Sequence, residues 1–367
     1  MALTPARARF DALRAALGAG SHDLRFARAP GRVNLIGDHT DYQEGLCLPV
    51  AIDRDVLIGF RPRTDDRVRV RSLDLDAEIA DGPWSRPVTE AVALISRRAH
   101  RAGPGFDAAI TSTVPIGGGL SSSAAFAVGL VIVAATVAGL RLEPLEIALA
   151  AQEVEQRASG VPCGVMDQLA CVAGRRDHAL LLDCRSLTIT PVRLPPGAGL
   201  LVIHSGLDRQ LATSAYADRR RACEVAAARI GVPTLRDAKL EDVADDPFAR
   251  HVVTENARVE AFASALAAGD LTTAGSLMLA SHRSLRDDFA VSTPELDLLV
   301  DLSVDSGAYG ARLTGAGFGG CVIVLLAPAE LDRVSTAVTG RYRADTGREP
   351  NAFAVSAVDG AGLVAGS

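Results

Sequence analysis

Residues 29–49 read APGRVNLIGDHTDYQEGLCLP and set Arg32, Asn34, Asp38, His39, Asp41, Tyr42 and Glu44 within thirteen positions, punctuated by Gly31, Gly37 and Gly45. A loop this dense in polar groups and glycine usually lines a site rather than a core. The chemistry it suits is recognition of a small polyol. Carboxylates and imidazole can serve several hydroxyls at once, and each hydroxyl left unpaired discriminates against the wrong epimer. Solvated turn residues are the alternative for this segment taken alone.

A second segment, residues 114–125, reads VPIGGGLSSSAA and joins an extended stretch to a long apolar one. Gly117, Gly118 and Gly119 allow a tight turn and let backbone amides approach a ligand without side-chain obstruction. Ser121, Ser122 and Ser123 then open a helix, where unpaired N–H groups and the helix dipole favour negative charge. The segment reads either as a phosphate cradle that needs no lysine or as a serine-capped helix after a glycine turn. A third piece, residues 161–168 (VPCGVMDQ), places Asp167 in apolar company, close after the stretch that carries Glu153 and Glu155, and Arg32 is a plausible cationic partner for it.

Residues 313–320, LTGAGFGG, contain the string Gly-x-Gly-x-x-Gly at Gly315, Gly317 and Gly320. A dinucleotide fingerprint needs a preceding strand, a following helix and an acidic residue about 20 positions on. Here the glycines run directly into CVIVLL, which is strand-like, so the segment is expected to be a tight turn or a loop packing beside the first cradle.

The elements that must position these residues follow from pattern. The chain has 367 residues, which at roughly 100–200 residues per domain suggests two domains. The expected division is 1–195 and 196–367, at the Pro195-Pro196-Gly197 cluster. Helices are expected over 5–17, 124–140, 144–159, 215–230, 252–268 and 331–341, and extended stretches over 46–60, 67–73, 107–114, 180–183, 200–204 and 322–326. The tail after Gly360 is expected to fray.

Composition narrows the function. With 38 basic and 44 acidic residues the net charge is −6, which argues against a partner such as DNA or RNA held by a basic surface. An anionic substrate must then be held by a local device, because the global field has the wrong sign. The single lysine, Lys239, has no glycine near it, which excludes the Walker-type ATPases. Cys47, Cys163, Cys171, Cys184, Cys223 and Cys321 show neither a Cys-x-x-Cys pair nor zinc spacing and read as reduced, mostly buried thiols. The N-terminus lacks the apolar core of a signal peptide, and the apolar run 124–140 falls short of the ~20 residues needed to span a bilayer. The expectation is a cytoplasmic enzyme with no membrane partner, and a monomer, since no heptad stands out.

Together, GRVNLIGDHTDY, PIGGGLSSSAA, CGVMDQ and LTGAGFGG occur in the order and approximate spacing found in the galactokinases, members of the GHMP small-molecule kinase superfamily. The chain resembles that family from about residue 26 to about residue 325. The resemblance implies a two-domain α/β fold of the α+β type, the GHMP kinase fold, with mixed sheets and the active site in the interdomain cleft. It implies ATP-dependent phosphorylation of the anomeric (C1) hydroxyl of D-galactose, giving galactose 1-phosphate and ADP, with Mg²⁺ as cofactor.

By the same resemblance, Asp167 is the catalytic carboxylate facing the anomeric hydroxyl and Arg32 its cationic partner. Arg32, Asp38, His39, Asp41, Gly164, Asp167 and Tyr216 bind the sugar. Gly117, Gly118, Gly119, Leu120, Ser121, Ser122 and Ser123 bind the phosphates of ATP, with Ser123 and Glu155 as Mg²⁺ ligands. Asp167 serves either as a general base or as a group that orients the hydroxyl while its proton leaves late.

Two departures from the family pattern bear on sugar preference. Asp38 stands where the family usually has glutamate, and Gln43 where it commonly has asparagine, so an edge of the pocket is expected to be reshaped. The competing readings are a related kinase for an N-acetylhexosamine, a pentose or a uronic acid, and a non-catalytic sugar- and ATP-dependent sensor. The complete Ser121-Ser122-Ser123-Ala124-Ala125 segment speaks against the sensor.

Overall fold

The computed structural model describes residues 6–18, 23–75, 77–78, 84–100, 103, 105–115, 117–207 and 212–366. A six-stranded sheet runs in the order Gly362–Val364, Arg25–Asn34, Pro49–Pro62, Phe106–Ser112, Val68–Ser72 and Ala77–Glu78. Its pairs are antiparallel except that Val68–Ser72 lies parallel to Phe106–Ser112. Against it packs the helix Ser122–Ala138, in which every residue from Ala124 to Ala135 is buried. A helix apolar on all sides has no face to give to water and becomes the centre of a core. Gly129 permits the close approach, since a Cβ there would stand 2.8 Å from Ile58 Cδ1. The helices Ser85–Ala99, Pro144–Ser159 and Met166–Ala173 complete this layer.

A four-stranded antiparallel sheet, ordered Gly310–Thr314, Cys321–Leu326, Gly199–His204, Asn351–Val355, forms the second centre. Its two middle strands, GLLVIH and CVIVLL, are apolar apart from the terminal His204 because both faces are covered. Leu200, Val202, Ile323 and Leu325 point to one buried cluster. Leu201, Ile203, Val322, Val324 and Leu326 point to another, under the helices Pro294–Asp305 and Leu331–Thr346. The period-2 alternation of a strand produces this split. The first of these clusters also contains Val33, Leu35, Val50 and Ile52 from the six-stranded sheet and its connections, with Phe262 and Met278 from the helices Pro247–Ala268 and Leu271–Asp287. The two sheets therefore share apolar contacts, and the cleft described below lies where they meet.

The tail expected to fray instead forms an edge strand: Gly362–Val364 pairs with Arg28, Ala27 and Phe26. The apolar residues Leu363 and Val364 gain ladder hydrogen bonds there that a free tail would lack. Residues 315–320 form the turn between two antiparallel strands, with no helix after them, and four of their glycines have positive φ. Among the described residues no helix is long and apolar enough to cross a membrane.

Candidate active site

The strand Arg25–Asn34 brings Arg32 against the glycine loop. A Cβ on Gly31 would stand 2.7 Å from the Leu120 carbonyl oxygen, so only glycine allows this docking, and the Arg32 amide donates to the same carbonyl at 3.1 Å. The Arg32 side chain, 6% exposed, then reaches Asp167: Nε lies 2.8 Å and Nη2 2.6 Å from Oδ1, while Nη1 donates to the Gly119 carbonyl at 2.7 Å. Asp167 stands in the first turn of Met166–Ala173, where the helix dipole favours a carboxylate. The loop ahead of it is gripped from Pro144–Ser159, whose Gln152 and Gln156 amides both donate to the Cys163 carbonyl. Asp167 keeps 28% side-chain exposure and so faces the cleft while held from behind.

The polar turn supplies a second wall. Asp38, His39 and Asp41 line the same cavity as Arg32 and Asp167, together with Gly164 and Tyr216. His39 is buried, with Nδ1 3.0 Å from the Tyr42 hydroxyl and Nε2 3.1 Å from the Ala316 carbonyl. Tyr216 packs its ring against those of His39 and Tyr42, at centroid distances of 5.6 and 5.5 Å. Asp41 lies against Gly164 so tightly that a Cβ on Gly164 would collide with its carboxylate. Burial, with the negative charge of Asp167 adding, pushes the Asp41 carboxyl up to about 6.

Asp38 is committed more deeply than its position in the motif suggests. Its Oδ1 accepts the Gly315 amide at 3.0 Å, and Oδ2 forms an ion pair at 2.7 Å with Nη1 of the wholly buried Arg312, off the line of a hydrogen bond. Burial raises its carboxyl above the ordinary range, and Arg312 and Arg32 oppose that only in part.

The third wall is the start of the core helix. Gly117, Gly119, Ser121, Ser122 and Ser123 line the cavity. The N-cap residue Ser121 does not cap the helix with its side chain, which leaves the first-turn amides to a ligand. Ser123 Oγ donates to Glu155 Oε1 at 2.6 Å, and Gln168 Nε2 donates to Glu155 Oε2 at 2.6 Å. Burial, with the charge of Asp167 adding, pushes the Glu155 carboxyl up to about 7. Four carboxyl groups, Asp38, Asp41, Asp167 and Glu155, thus line one cavity of about 420 Å³ with Arg32. Such a site favours an arriving cation.

Not every expected residue reaches the cavity. Gly118 packs toward His204 and Pro115, and the Leu120 side chain is fully buried in the core, so Leu120 contributes its carbonyl as an anchor for Arg32. Gln43 does not line the pocket at all: its side chain is buried and accepts the Leu235 amide at 3.1 Å, so its difference from asparagine is absorbed in a structural contact. The turn 315–320 packs on the polar turn through Gly315 and Ala316, rather than only beside the first cradle.

Conversely, Trp84 lines the cleft without having been singled out, as do Met166, Gln168 and Ala316, which entered only as parts of longer motifs, while Gly315, read as part of a turn, also lines it. Trp84 and Ser122 also border a smaller, mainly apolar cavity of about 100 Å³ walled by Val56, Ile110, Val114 and Phe126. Trp84 is the chain's only tryptophan, a signal the motif reading passed over.

Comparison with known proteins agrees with this geometry. The family description "GHMP kinases N terminal domain" matches residues 86–175, "GHMP kinases C terminal" matches 262–344, and "Galactokinase galactose-binding signature" matches 15–62. The galactokinase of Roseiflexus sp. (strain RS-1) is 43% identical over 369 residues, covering 94% of each chain. The chain belongs to the galactokinase family. The crystal structure of Lactococcus lactis galactokinase complexed with galactose superposes with a TM-score of 0.90 at 30% identity, covering 97% of this chain and 99% of that one. The family's fold extends further: L. major mevalonate kinase in complex with R-mevalonate gives a TM-score of 0.68 at 19% identity, covering 90% and 95% of the two chains.

Proposed function

We infer that this chain transfers the γ-phosphoryl group of ATP to the anomeric C1 hydroxyl of D-galactose, giving galactose 1-phosphate and ADP. The observation that carries the reading is the Arg32–Asp167 pair at the junction of the polar turn and the serine-opened helix, with both bordering one cavity. Phosphoryl transfer passes through a loose transition state and asks the protein mainly for positioning and charge neutralisation.

In this reading Asp38, His39, Asp41, Gly164 and Tyr216 hold the sugar so that its anomeric hydroxyl meets Asp167. Asp167 orients that hydroxyl and takes up its proton, early or late in the transfer. Arg32 aligns Asp167, and its positive charge lies beside the group in transit. The amides of 117–123 receive the phosphates. The apolar cavity beside Trp84 and Phe126, continuous with that helix start through Ser122, offers a stacking surface for the nucleobase.

Ser123 Oγ and Glu155 Oε1 fit Mg²⁺: they are hard oxygens 2.6 Å apart at the helix start, and this ion takes one or two carboxylates plus phosphates and water. When bound, Mg²⁺ offsets phosphate charge. We also take the working unit to be one cytoplasmic chain built of units 1–195 and 196–367. All six cysteines are free thiols, as in a reducing compartment.

Replacing Asp167 by Asn tests the assignment. Galactose-dependent ADP release should fall at least a hundredfold, while galactose still binds by calorimetry. A variant with near-normal turnover would remove Asp167 from the mechanism.

A further inference from the structure

Ser121 lies in the loop assigned to phosphates, yet its hydroxyl turns to the sugar side of the cleft. Ser121 Oγ donates to Asp167 Oδ2 at 2.5 Å, and Ser121 is 8% exposed. Its backbone is left-handed, with φ 61° and ψ 41°, a conformation that a non-glycine residue adopts at a cost. A serine at an N-cap ordinarily spends its hydroxyl on the first-turn amides; this one does not. A cost accepted without the usual capping return points to another use for the hydroxyl, and Asp167 is the group it reaches.

The other carboxylate oxygen is already filled. Two nitrogens of Arg32 converge on Oδ1, at 2.8 and 2.6 Å, which accounts for its lone pairs. With Ser121 on Oδ2, the carboxylate plane is fixed from both sides and a single acceptor direction remains, on Oδ2. We propose that Ser121 is a positioning residue that aims Asp167 at the acceptor hydroxyl, so that the loop receiving the phosphates also sets the geometry of the catalytic carboxylate. The proposal rests on the galactose kinase reading and deepens it: the serine side chain acts through Asp167, while the loop's phosphate contacts are left to backbone amides.

Ser121→Gly tests this, because glycine accepts the left-handed backbone without strain and removes only the hydroxyl. Ser121→Ala serves as a second variant with the strain retained. In Ser121→Gly the melting temperature should equal or exceed that of the parent, and kcat should fall by about tenfold to a hundredfold, the range for losing a hydrogen bond to a charged group. The KM for ATP should stay within about twofold. In an Asp167→Asn background, measured in single turnovers, the same substitution should cost less than about twofold, because a residue acting through Asp167 has nothing left to aim.

Turnover of Ser121→Gly and Ser121→Ala within about twofold of the parent would overturn the proposal. So would an undiminished loss in the Asp167→Asn background, or a loss carried mainly by KM for ATP, which would return the serine to the phosphate cradle. The unsubstituted chain is measured alongside: if it releases no ADP with galactose, the function reading falls and the proposal with it, whereas an active parent with unaffected variants sinks the proposal alone.

Discussion

Arg32→Lys preserves the charge beside Asp167 and removes the fork that delivers it. Arg32 meets Asp167 Oδ1 through both Nε and Nη2 and holds the Gly119 carbonyl through Nη1. A lysine ammonium at the same place can keep one of these partners, so a carboxylate contact and the tie to the glycine loop are lost together. A hydrogen bond involving a charged group is worth about 1.5–3 kcal/mol, and only the part that grows in the transition state appears in kcat. Taking about 3 kcal/mol for the pair gives a fall of about a hundredfold at 1.36 kcal/mol per decade. The galactose KM should move by less than about threefold, since Arg32 grips Asp167 and the loop, whereas the sugar wall is built mainly by other residues. The assay is steady-state ADP release at saturating ATP, with circular dichroism confirming that the variant is folded. A folded Arg32→Lys enzyme with kcat within about threefold of the parent would refute the claim that the fork, rather than the charge alone, aligns the carboxylate.

Two further outcomes follow from the polar turn. Asp41 titrates at about 6 in the fold against an ordinary 3.8, so its ionised form destabilises the folded state by at most about 3 kcal/mol above pH 6. Because the folded value is raised, the parent regains that stability as pH falls from 6 toward 4. Asp41→Asn should therefore melt higher than the parent at pH 8, with the gap closing by pH 4, while its galactose kcat/KM drops; a gap that stays constant with pH would contradict the burial argument. Gly164→Ala inserts a methyl where the Asp41 carboxylate lies, and overpacking of this kind costs about 1–3 kcal/mol. Its galactose KM should rise about tenfold or more with the ATP KM unchanged, as read from initial rates in both substrates.

Much of the site was legible because its parts are local. The polar turn, the glycine loop and the segment around Asp167 each carry their residue types within thirteen positions, and the cavity collects Arg32, Asp41, Asp167, Glu155 and Tyr216 as the motif order implies. The core helix was legible from its unbroken apolar run, although it begins at Ser122, two residues ahead of that run, because the serines face the cleft as the helix's first turn.

What escaped is nonlocal. Asp38 is anchored by Arg312, a side chain on a strand 274 positions later, and no spacing rule links them. The strand Gly362–Val364 is too short to announce itself and exists because the edge of Arg25–Asn34 is open to it. Gln43 looked like a pocket residue by its neighbours in sequence, but the left-handed turn at Glu44 ends a short 3-10 helix that directs the Gln43 amide toward Leu235. Ser121 resembled a helix cap, and only the fold brings Asp167 within reach of its hydroxyl.

The measurement that bears most directly on the account is ADP release with ATP and Mg²⁺ across galactose, its 2-amino and 2-N-acetyl derivatives, arabinose and galacturonic acid, with each product examined by phosphorus NMR. The account predicts the highest kcat/KM with galactose and a product whose phosphorus couples to the anomeric proton. Faster turnover of galacturonic acid or of the N-acetyl sugar, or a phosphate carried on another carbon of galactose, would contradict it.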